Sequence, residues 1–167
     1  SSIISFFSVY AKEINLVEAA SFFYIVFAVV IFFSRPFVGR LFDAKGENRI
    51  MYIAILIMTI GIITFSQAYN GYTLLLAGAV IGLGFGAIQS SGQAIAVKST
   101  EHHRMGLATS TYFMLADVGM GIGPLVFGSI IPHTGYRGMY ICVAIVMAVC
   151  MLLYYLLHGV KAGMLKS

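Results

Sequence analysis

Charged side chains are scarce in this chain. Asp, Glu, Lys and Arg make up 10% of the 167 residues, whereas hydrophobic residues make up 60% and the mean hydropathy is +0.94. A water-soluble domain carries roughly a quarter of its residues as charged side chains. The composition therefore excludes an ordinary soluble domain and indicates an integral membrane protein.

Cysteine and recognisable catalytic motifs are equally scarce. The two cysteines, Cys142 and Cys150, lie in the last apolar stretch without a CxxC pair or a Cys/His cluster, and we interpret them as small packing residues. The sequence contains no HExxH, no GxSxG with a histidine partner, no paired carboxylates within an apolar stretch and no Walker A motif. We therefore expect no enzyme activity, no cofactor, no metal site and no direct ATP hydrolysis.

Long apolar stretches dominate instead. Each is near or above the roughly 20 residues that cross a 30 Å hydrocarbon core. They cover about residues 16–34, 50–68, 74–97, 105–131 and 139–157. Because hydrocarbon offers no water to the peptide groups, and because the alternating pattern of a β-barrel is absent, these spans must be α-helices. The predicted fold class is an all-α integral membrane protein.

The start of the chain departs from this pattern. Residues 3–10 are apolar but reach only about half of the required length, and neither a methionine nor the basic flank of a signal peptide precedes them. We expect residues 1–10 to be the end of a further span. The 167 residues are then one transmembrane bundle, 1–167, of a longer protein.

The positive charges are distributed unevenly between the connections. Lys and Arg in short loops are retained on the cytoplasmic side. One set of connections carries Arg35, Arg40, Lys45, Arg49, Lys98, Arg104, Lys161 and Lys166, and the other carries only Lys12 and Arg137. This asymmetry predicts a cytoplasmic C-terminus. It also explains the net charge of +4 without a nucleic-acid partner.

The segment SRPFVGRLFDAKGENR, residues 34–49, is the most specific connection. Gly39 would allow close helix approach, Asp43 could accept hydrogen bonds from the free N–H groups of a helix start, and Gly46 could adopt a positive φ where the chain reverses. Arg40 and Arg49 would hold the segment at the inner membrane face. An ordinary tight cytoplasmic turn explains the same residues.

The spacing in this segment nevertheless resembles the signature loop of the major facilitator superfamily, G-x-x-x-D-x-x-G followed by basic residues. Gly39, Asp43 and Gly46 match, whereas Glu47 and Asn48 stand where the family often has two basic residues. The loop joins the second and third helices of each half in that family. Such partial loss of the pattern resembles the second-half copy more than the first.

Two later segments extend the resemblance. Residues 103–108 (HRMGLA) are similar to the family's start of the fifth helix of a half, and residues 116–128 (ADVGMGIGPLVFG) are similar to its glycine-rich Gly-Pro segment. The resemblance implies the C-terminal half of a twelve-helix transporter, with helix seven truncated and the N-terminal half elsewhere. A six-helix protein that works as a dimer is the alternative.

Small residues mark possible helix contacts or hinges. Their spacing suits close helix packing in lipid, which static membrane helices also use. These residues are Gly78, Gly82, Gly86, Gly119, Gly123, Pro124 and Gly128. Pro124 removes one backbone hydrogen bond and thereby favours a bend, which predicts a hinge.

Asp117 is the one acidic residue deep inside a predicted span. A carboxylate in hydrocarbon costs a few kcal/mol, about 3 or more, so it should face a cavity, be protonated or be paired. It could carry a coupled proton or contact a cationic substrate. It could equally accept hydrogen bonds from groups freed around the glycine run.

Four further side chains are candidates for a substrate cavity. Gln89 and Gln93 are neighbours on one helix face, and Phe113 lies one turn before Asp117. Tyr24 is the fourth candidate. Each of the four could instead serve packing or lipid contact.

The family resemblance implies a secondary active transporter of the cell membrane that works by alternating access. We expect proton-coupled export (antiport, or efflux) of small amphiphilic compounds. The implied partners are the lipid bilayer, a small-molecule substrate, a coupling proton and the N-terminal half. Uptake symport, metabolite export and a non-transporting membrane scaffold remain open alternatives.

Overall fold

The computed structural model describes residues 2–154, apart from the side chains of residues 2, 42–45, 47 and 48, and every regular element in it is helical. The helices are α1 (Ser2–Glu13), α2 (Val17–Lys45), α3 (Glu47–Ser66), α4 (Gly71–Lys98), a 3-10 turn (His102–Arg104) and α5 (Met105–Tyr154). The all-α class is confirmed. The predicted span over residues 139–157 ends outside the described residues.

Four helices are long and apolar enough to cross a membrane. Their spanning parts are Val17–Leu41, Arg49–Ser66, Gly71–Lys98 and His102–Tyr154. The last has 53 residues, or about 80 Å at 1.5 Å per residue, which is more than twice the hydrocarbon thickness. It is broken at Gly135, whose φ of 67° and ψ of 177° are not helical. We name residues 105–134 the first arm and residues 136–154 the second arm.

Contacts of the two arms show that the chain reverses at Gly135. Tyr140 and Tyr154 of the second arm lie against Phe65 and Tyr52 of α3, with ring centroids 4.7 and 5.3 Å apart. The second arm therefore runs antiparallel to α3. With its two arms counted separately, the described part of the bundle has five apolar helical segments of about spanning length, besides the shorter α1.

One end of the bundle collects most of the described cations. At this end α2 and α4 finish and α3 and α5 begin, and it carries Arg40, Arg49, Lys98 and Arg104. We call it the basic end. The opposite end carries Lys12 in the last turn of α1 and Arg137, whose guanidinium lies 4.2 Å from the ring centre of Tyr69.

An aromatic core closes the opposite end. Phe7, Tyr10, Phe23, Phe65 and Tyr140 are fully buried and join α1, α2, α3 and the second arm. The Tyr10 hydroxyl donates to the backbone carbonyls of Phe65 at 3.3 Å and of residue 66 at 3.2 Å. Lipid tails are as apolar as these rings, so van der Waals packing, ring geometry and such hydrogen bonds hold the helices together.

The glycines of α4 bring it close to α2. A Cβ atom on Gly78 would lie 2.8 Å from the ring of Phe23, and one on Gly82 would lie 2.9 Å from the Phe27 carbonyl oxygen. Gly86 faces α2 in the same way. Only glycine permits this separation of the two backbones.

The connection predicted over residues 34–49 is shorter than expected. Helix α2 continues to Lys45, and the reversal is confined to Gly46, whose φ of 82° is positive as expected. Charged residues end an apolar stretch but not a helix, because α-helical geometry continues readily into the water-facing layer. None of the described atoms lies within 4 Å of the position that a Cβ atom would take at Gly39, so the close helix approach expected there stays a prediction.

Helix α5 also differs from its expected bend. Its backbone stays helical through Pro124 and Pro132 and departs from helical angles only at Gly135. Lipid-facing helices tolerate proline because neighbouring groups satisfy the freed carbonyl. A hinge at Pro124 therefore stays a prediction about motion.

Candidate functional site: a polar cavity near the basic end

A polar cavity of about 550 Å³ lies between α2, α4 and the first arm. Its volume is within the range of small-molecule sites, roughly 300–1,000 Å³. The lining residues come from all three helices, and five of them are polar or charged. The lining residues are Arg35, Gln89, Ser90, Gln93, Ala94, Val97, Lys98 and Phe113.

Arg35 and Gln89 connect two walls of the polar cavity. The Arg35 guanidinium donates to Gln89 Oε1 at 3.4 Å, which is longer than the usual 2.7–3.2 Å of an N–H···O hydrogen bond. Arg35 lies inside the spanning part Val17–Leu41, about 9 Å before its end at 1.5 Å per residue. The wall of the cavity therefore carries an exposed cation near the end of this candidate span.

The polar cavity is lined by positively charged and neutral polar side chains. Among the described residues, its lining contributes the cations Arg35 and Lys98 and no acidic side chain. Gln89 and Gln93 share one face of α4 and add amide groups that both donate and accept hydrogen bonds. The arrangement suits a polar or anionic group and offers no nucleophile paired with a base.

A second cavity of about 270 Å³ adjoins the first through Gln89. We call it the aromatic cavity, and its lining is Phe85, Ile88, Gln89, Tyr112, Ala116, Gly119 and Met120. The Tyr112 hydroxyl donates to the Gln89 backbone carbonyl at 3.2 Å, which holds the first arm against α4. One end of the combined space is polar and the other is aromatic.

Asp117 lies on the first arm, one turn beyond Phe113 and next to Ala116. Its side chain is exposed, and it lines neither of the two cavities. Phe113 and Ala116 do line them, so Asp117 borders the site from the open surface of the first arm.

Tyr24 is not part of this site. Its hydroxyl donates to the Ile4 carbonyl at 3.4 Å, and its ring centre lies 5.2 Å from that of Phe7. It stands about 16 Å along α2 from Arg35 at 1.5 Å per residue. The structure thus brings together three of the four predicted cavity residues, Gln89, Gln93 and Phe113, and leaves the exposed Tyr24 beside the aromatic core.

Sequence reasoning does not find Arg35, Ser90 and Tyr112 as site residues. The charge count assigns Arg35 to a connection, although the apolar residues Pro36, Phe37 and Val38 follow it. A cation with apolar residues on both sides is the signal that could have found it. Tyr112 has no such signal, because its contact with Gln89 depends on how α4 and α5 meet.

A third cavity, of about 400 Å³, is a poorer candidate for specific recognition. It lies between α2, α3 and α4, and among the described residues that line it Ser34 alone is polar. The Ser34 hydroxyl is already bonded to the Ile31 carbonyl of its own helix at 2.9 Å. Sites for small molecules require a few polar groups that fix orientation.

The signature segment lies at the basic end beside these cavities. Arg40 is exposed near the end of α2 and Arg49 is exposed at the start of α3. Gly46 separates the two helices. The Asp43 side chain lies outside the described part, so its predicted hydrogen bonds stay a prediction.

Known proteins are similar to this chain in sequence. A family model described as Major Facilitator Superfamily matches residues 1–164. The MFS-type transporter TOXA of Cochliobolus carbonum is 25% identical over 149 residues, which cover 89% of this chain and 27% of TOXA. Multidrug resistance protein MdtG of Salmonella typhi is 31% identical over 134 residues, 78% of this chain and 33% of MdtG.

MdtG of Klebsiella pneumoniae (strain 342) is 31% identical over 131 residues, which cover 77% of this chain and 32% of that protein. The chain thus spans about a third or less of the length of these relatives. The family model, in contrast, covers nearly the whole chain. This multi-pass membrane chain therefore belongs to the Major Facilitator Superfamily, a family of transporters of small molecules.

Proposed function

We propose that the chain is the C-terminal bundle of a secondary active transporter that exports small amphiphilic compounds in exchange for protons. The observation that carries this proposal is the polar cavity between α2, α4 and the first arm. The names of two relatives, an MFS-type transporter and a multidrug resistance protein, support transport and export.

Alternating access gives this cavity a role. Two helical bundles rock about a site near the bilayer midplane, so each bundle supplies one wall. The polar and aromatic cavities adjoin each other through Gln89, and a molecule with a polar and an apolar part would fit across them. The N-terminal half of the same transporter would supply the opposite wall.

Asp117 is the proposed proton carrier. Its exposed side chain borders both cavities, and in a complete transporter that surface would face the substrate pathway. A carboxyl group at such a depth is stable when it is protonated or solvated. Protonation would then bias the balance between outward and inward states.

Sidedness follows from the basic end. Lys and Arg favour the cytoplasmic side, so we propose that the basic end and the C-terminus face the cytoplasm of the cell membrane. Single cysteines at Lys98 and Arg137, with Cys142 and Cys150 replaced, should react with an impermeant reagent from opposite sides. Reaction of both from one side would contradict this topology.

Other functions have less support. Uptake symport and metabolite export use the same architecture, and only the name of MdtG favours efflux of drugs. A non-transporting scaffold does not require a cation within a candidate spanning helix, nor a cavity of about 550 Å³ beside it.

The test is gradient-driven transport by the full-length protein in lipid vesicles. Asp117→Asn should abolish accumulation of fluorescent amphiphiles under an imposed pH gradient while passive exchange persists. One pH unit supplies about 1.4 kcal/mol per proton, so loss of a single carrier removes a measurable driving force.

Glu101→Gln is the matched control. Glu101 is an exposed carboxylate near the basic end, 3.6 Å from His103 Nε2, and its loss should leave accumulation intact. Normal accumulation by Asp117→Asn would exclude Asp117 as the proton carrier. Equal accumulation with and without the gradient in the wild type would contradict proton coupling itself.

A further inference from the structure

We propose that the polar cavity binds an oxyanion, and that the transported compound is an amphiphile with a carboxylate, sulfonate or phosphate group attached to an apolar ring system. The identification of this ligand as the substrate rests on the proposed transporter function. The oxyanion site itself rests on Arg35 and its surroundings.

Arg35 lacks a partner of opposite charge among the described residues that line the cavity. It lies about 9 Å before the end of the candidate spanning part Val17–Leu41, and its side chain is exposed, so a ligand can reach it. The partner that the structure provides is the neutral amide oxygen of Gln89, at the long distance of 3.4 Å. Such a contact orients the guanidinium without compensating its charge.

The neighbouring groups complete a site for an oxyanion. A guanidinium presents a planar fork of N–H donors that matches a carboxylate, sulfonate or phosphate with two parallel hydrogen bonds. The amides of Gln89 and Gln93 and the hydroxyl of Ser90 line the same cavity and can donate further hydrogen bonds. No carboxylate among the described lining residues competes with the ligand for Arg35.

The rest of the ligand is indicated by the adjoining aromatic cavity. Phe113 forms part of the wall of the polar cavity, and Phe85, Tyr112 and Met120 line the aromatic cavity beyond Gln89. Aromatic and thioether groups pack well against flat apolar rings. An anionic head beside Arg35 would therefore place an attached ring system among these side chains.

A phospholipid headgroup carries the same oxyanion chemistry. Its phosphate could reach a cation near a membrane surface, but its aliphatic tails have no use for a ring-lined space. The aromatic cavity therefore favours a substrate, and the experiment separates the two sources.

The experiment measures binding of two probes to the full-length protein in phosphatidylcholine nanodiscs. The probes are 1-anilinonaphthalene-8-sulfonate and N-phenyl-1-naphthylamine, which share a ring system and differ by the sulfonate. Arg35→Gln should weaken binding of 1-anilinonaphthalene-8-sulfonate about tenfold or more, since hydrogen bonds to charged groups are strong. It should change binding of N-phenyl-1-naphthylamine, which has no charged group, less than about twofold.

Two variants serve as controls. Arg35→Lys keeps the charge but loses the planar fork of donors, so it should retain only part of the sulfonate preference. Unchanged binding of N-phenyl-1-naphthylamine to Arg35→Gln shows that this variant is folded. Arg104→Gln removes a cation from the basic end outside the polar cavity and should leave both affinities unchanged. Equal weakening of both probes by Arg35→Gln, or no sulfonate binding by the wild type, would overturn the proposal.

Lipid composition and transport distinguish the remaining outcomes. The affinity for the sulfonate probe should be the same in nanodiscs that also contain phosphatidylglycerol. If Arg35→Gln no longer weakens sulfonate binding in those nanodiscs, the site binds a lipid headgroup and the proposed substrate is wrong. Arg35-dependent binding without movement of either probe across vesicles would contradict the transporter proposal and leave the oxyanion site. If a gradient drives both probes across vesicles and Arg35→Gln does not affect this movement, the oxyanion site is contradicted and the transporter proposal stands.

Discussion

Helix α4 and the first arm of α5 are both apolar and glycine-rich, yet their glycines lie in opposite surroundings. In α4, Gly78, Gly82 and Gly84 each lie so close to α2 or α3 that an added Cβ would come within 3.0 Å of another atom. In the first arm, Gly119 and Gly121 have nothing of the described chain within 4 Å of the corresponding position, whereas further along, at Gly128, a Cβ would meet a neighbour, the ring of Phe6 at 3.3 Å.

This difference shows that glycine spacing predicts a helix face that another helix can approach closely, but does not predict that a helix packs there. A row of small residues lets another backbone approach, but a second helix must be present to use it. In α4 two neighbouring helices do so, and they hold the residues of the polar cavity in place. The first arm keeps an open face of small residues next to Asp117.

The largest loss of stability should come from adding a side chain at a packed glycine of α4. A Cβ atom at Gly84 would lie 2.8 Å from the backbone nitrogen and 2.9 Å from the Cα atom of Met58, so side-chain rotation cannot relieve the clash. Gly84→Leu should lower the free energy of unfolding by about 3 kcal/mol, the upper part of the usual overpacking range. Thermal unfolding of the full-length protein in detergent measures this change, and an unchanged midpoint would show that α3 and α4 separate more readily than described.

A smaller loss of stability should come from replacing the glycine at the break in α5, a helix that differs in this respect from the unbroken α4. Gly135 has φ 67° and ψ 177°, a region that is accessible essentially only to glycine. Gly135→Ala should cost about 1–2 kcal/mol of stability, within the range for such backbone positions. Pro124→Ala, in a stretch that stays helical, is the matched comparison and should cost less. Equal losses would place the strain of α5 at the proline instead.

The smallest loss of stability should come from adding a side chain at an open glycine of the first arm. Gly121 faces no described atom and lines neither cavity, so Gly121→Leu should change stability by less than about 0.5 kcal/mol. The same thermal assay on the full-length protein compares it directly with Gly84→Leu. A loss as large as that of Gly84→Leu would show that another helix covers this face and would remove the contrast between the two helices.

Local patterns predict some parts of the site better than others. The helical period alone places Gln89 and Gln93, four residues apart, on one face, and they do line one cavity. No local pattern indicates the partner of Gln89, since Arg35 lies 54 residues away on another helix. Residue type groups Tyr24 with these side chains, whereas its ring packs against Phe7 at the edge of the aromatic core.

The sequence by itself determined that this chain is a helical membrane bundle of the major facilitator type. Apolar length and the need to satisfy peptide groups in lipid are local properties, and the motif spacings are read along one chain. Only the tertiary structure decided that Arg35, Gln89 and Phe113 share a cavity, and that the glycines of α4 are covered while Gly119 and Gly121 of the first arm are open. Such choices depend on which helix faces meet, and in lipid close van der Waals fit between helices selects them, since burial from water does not.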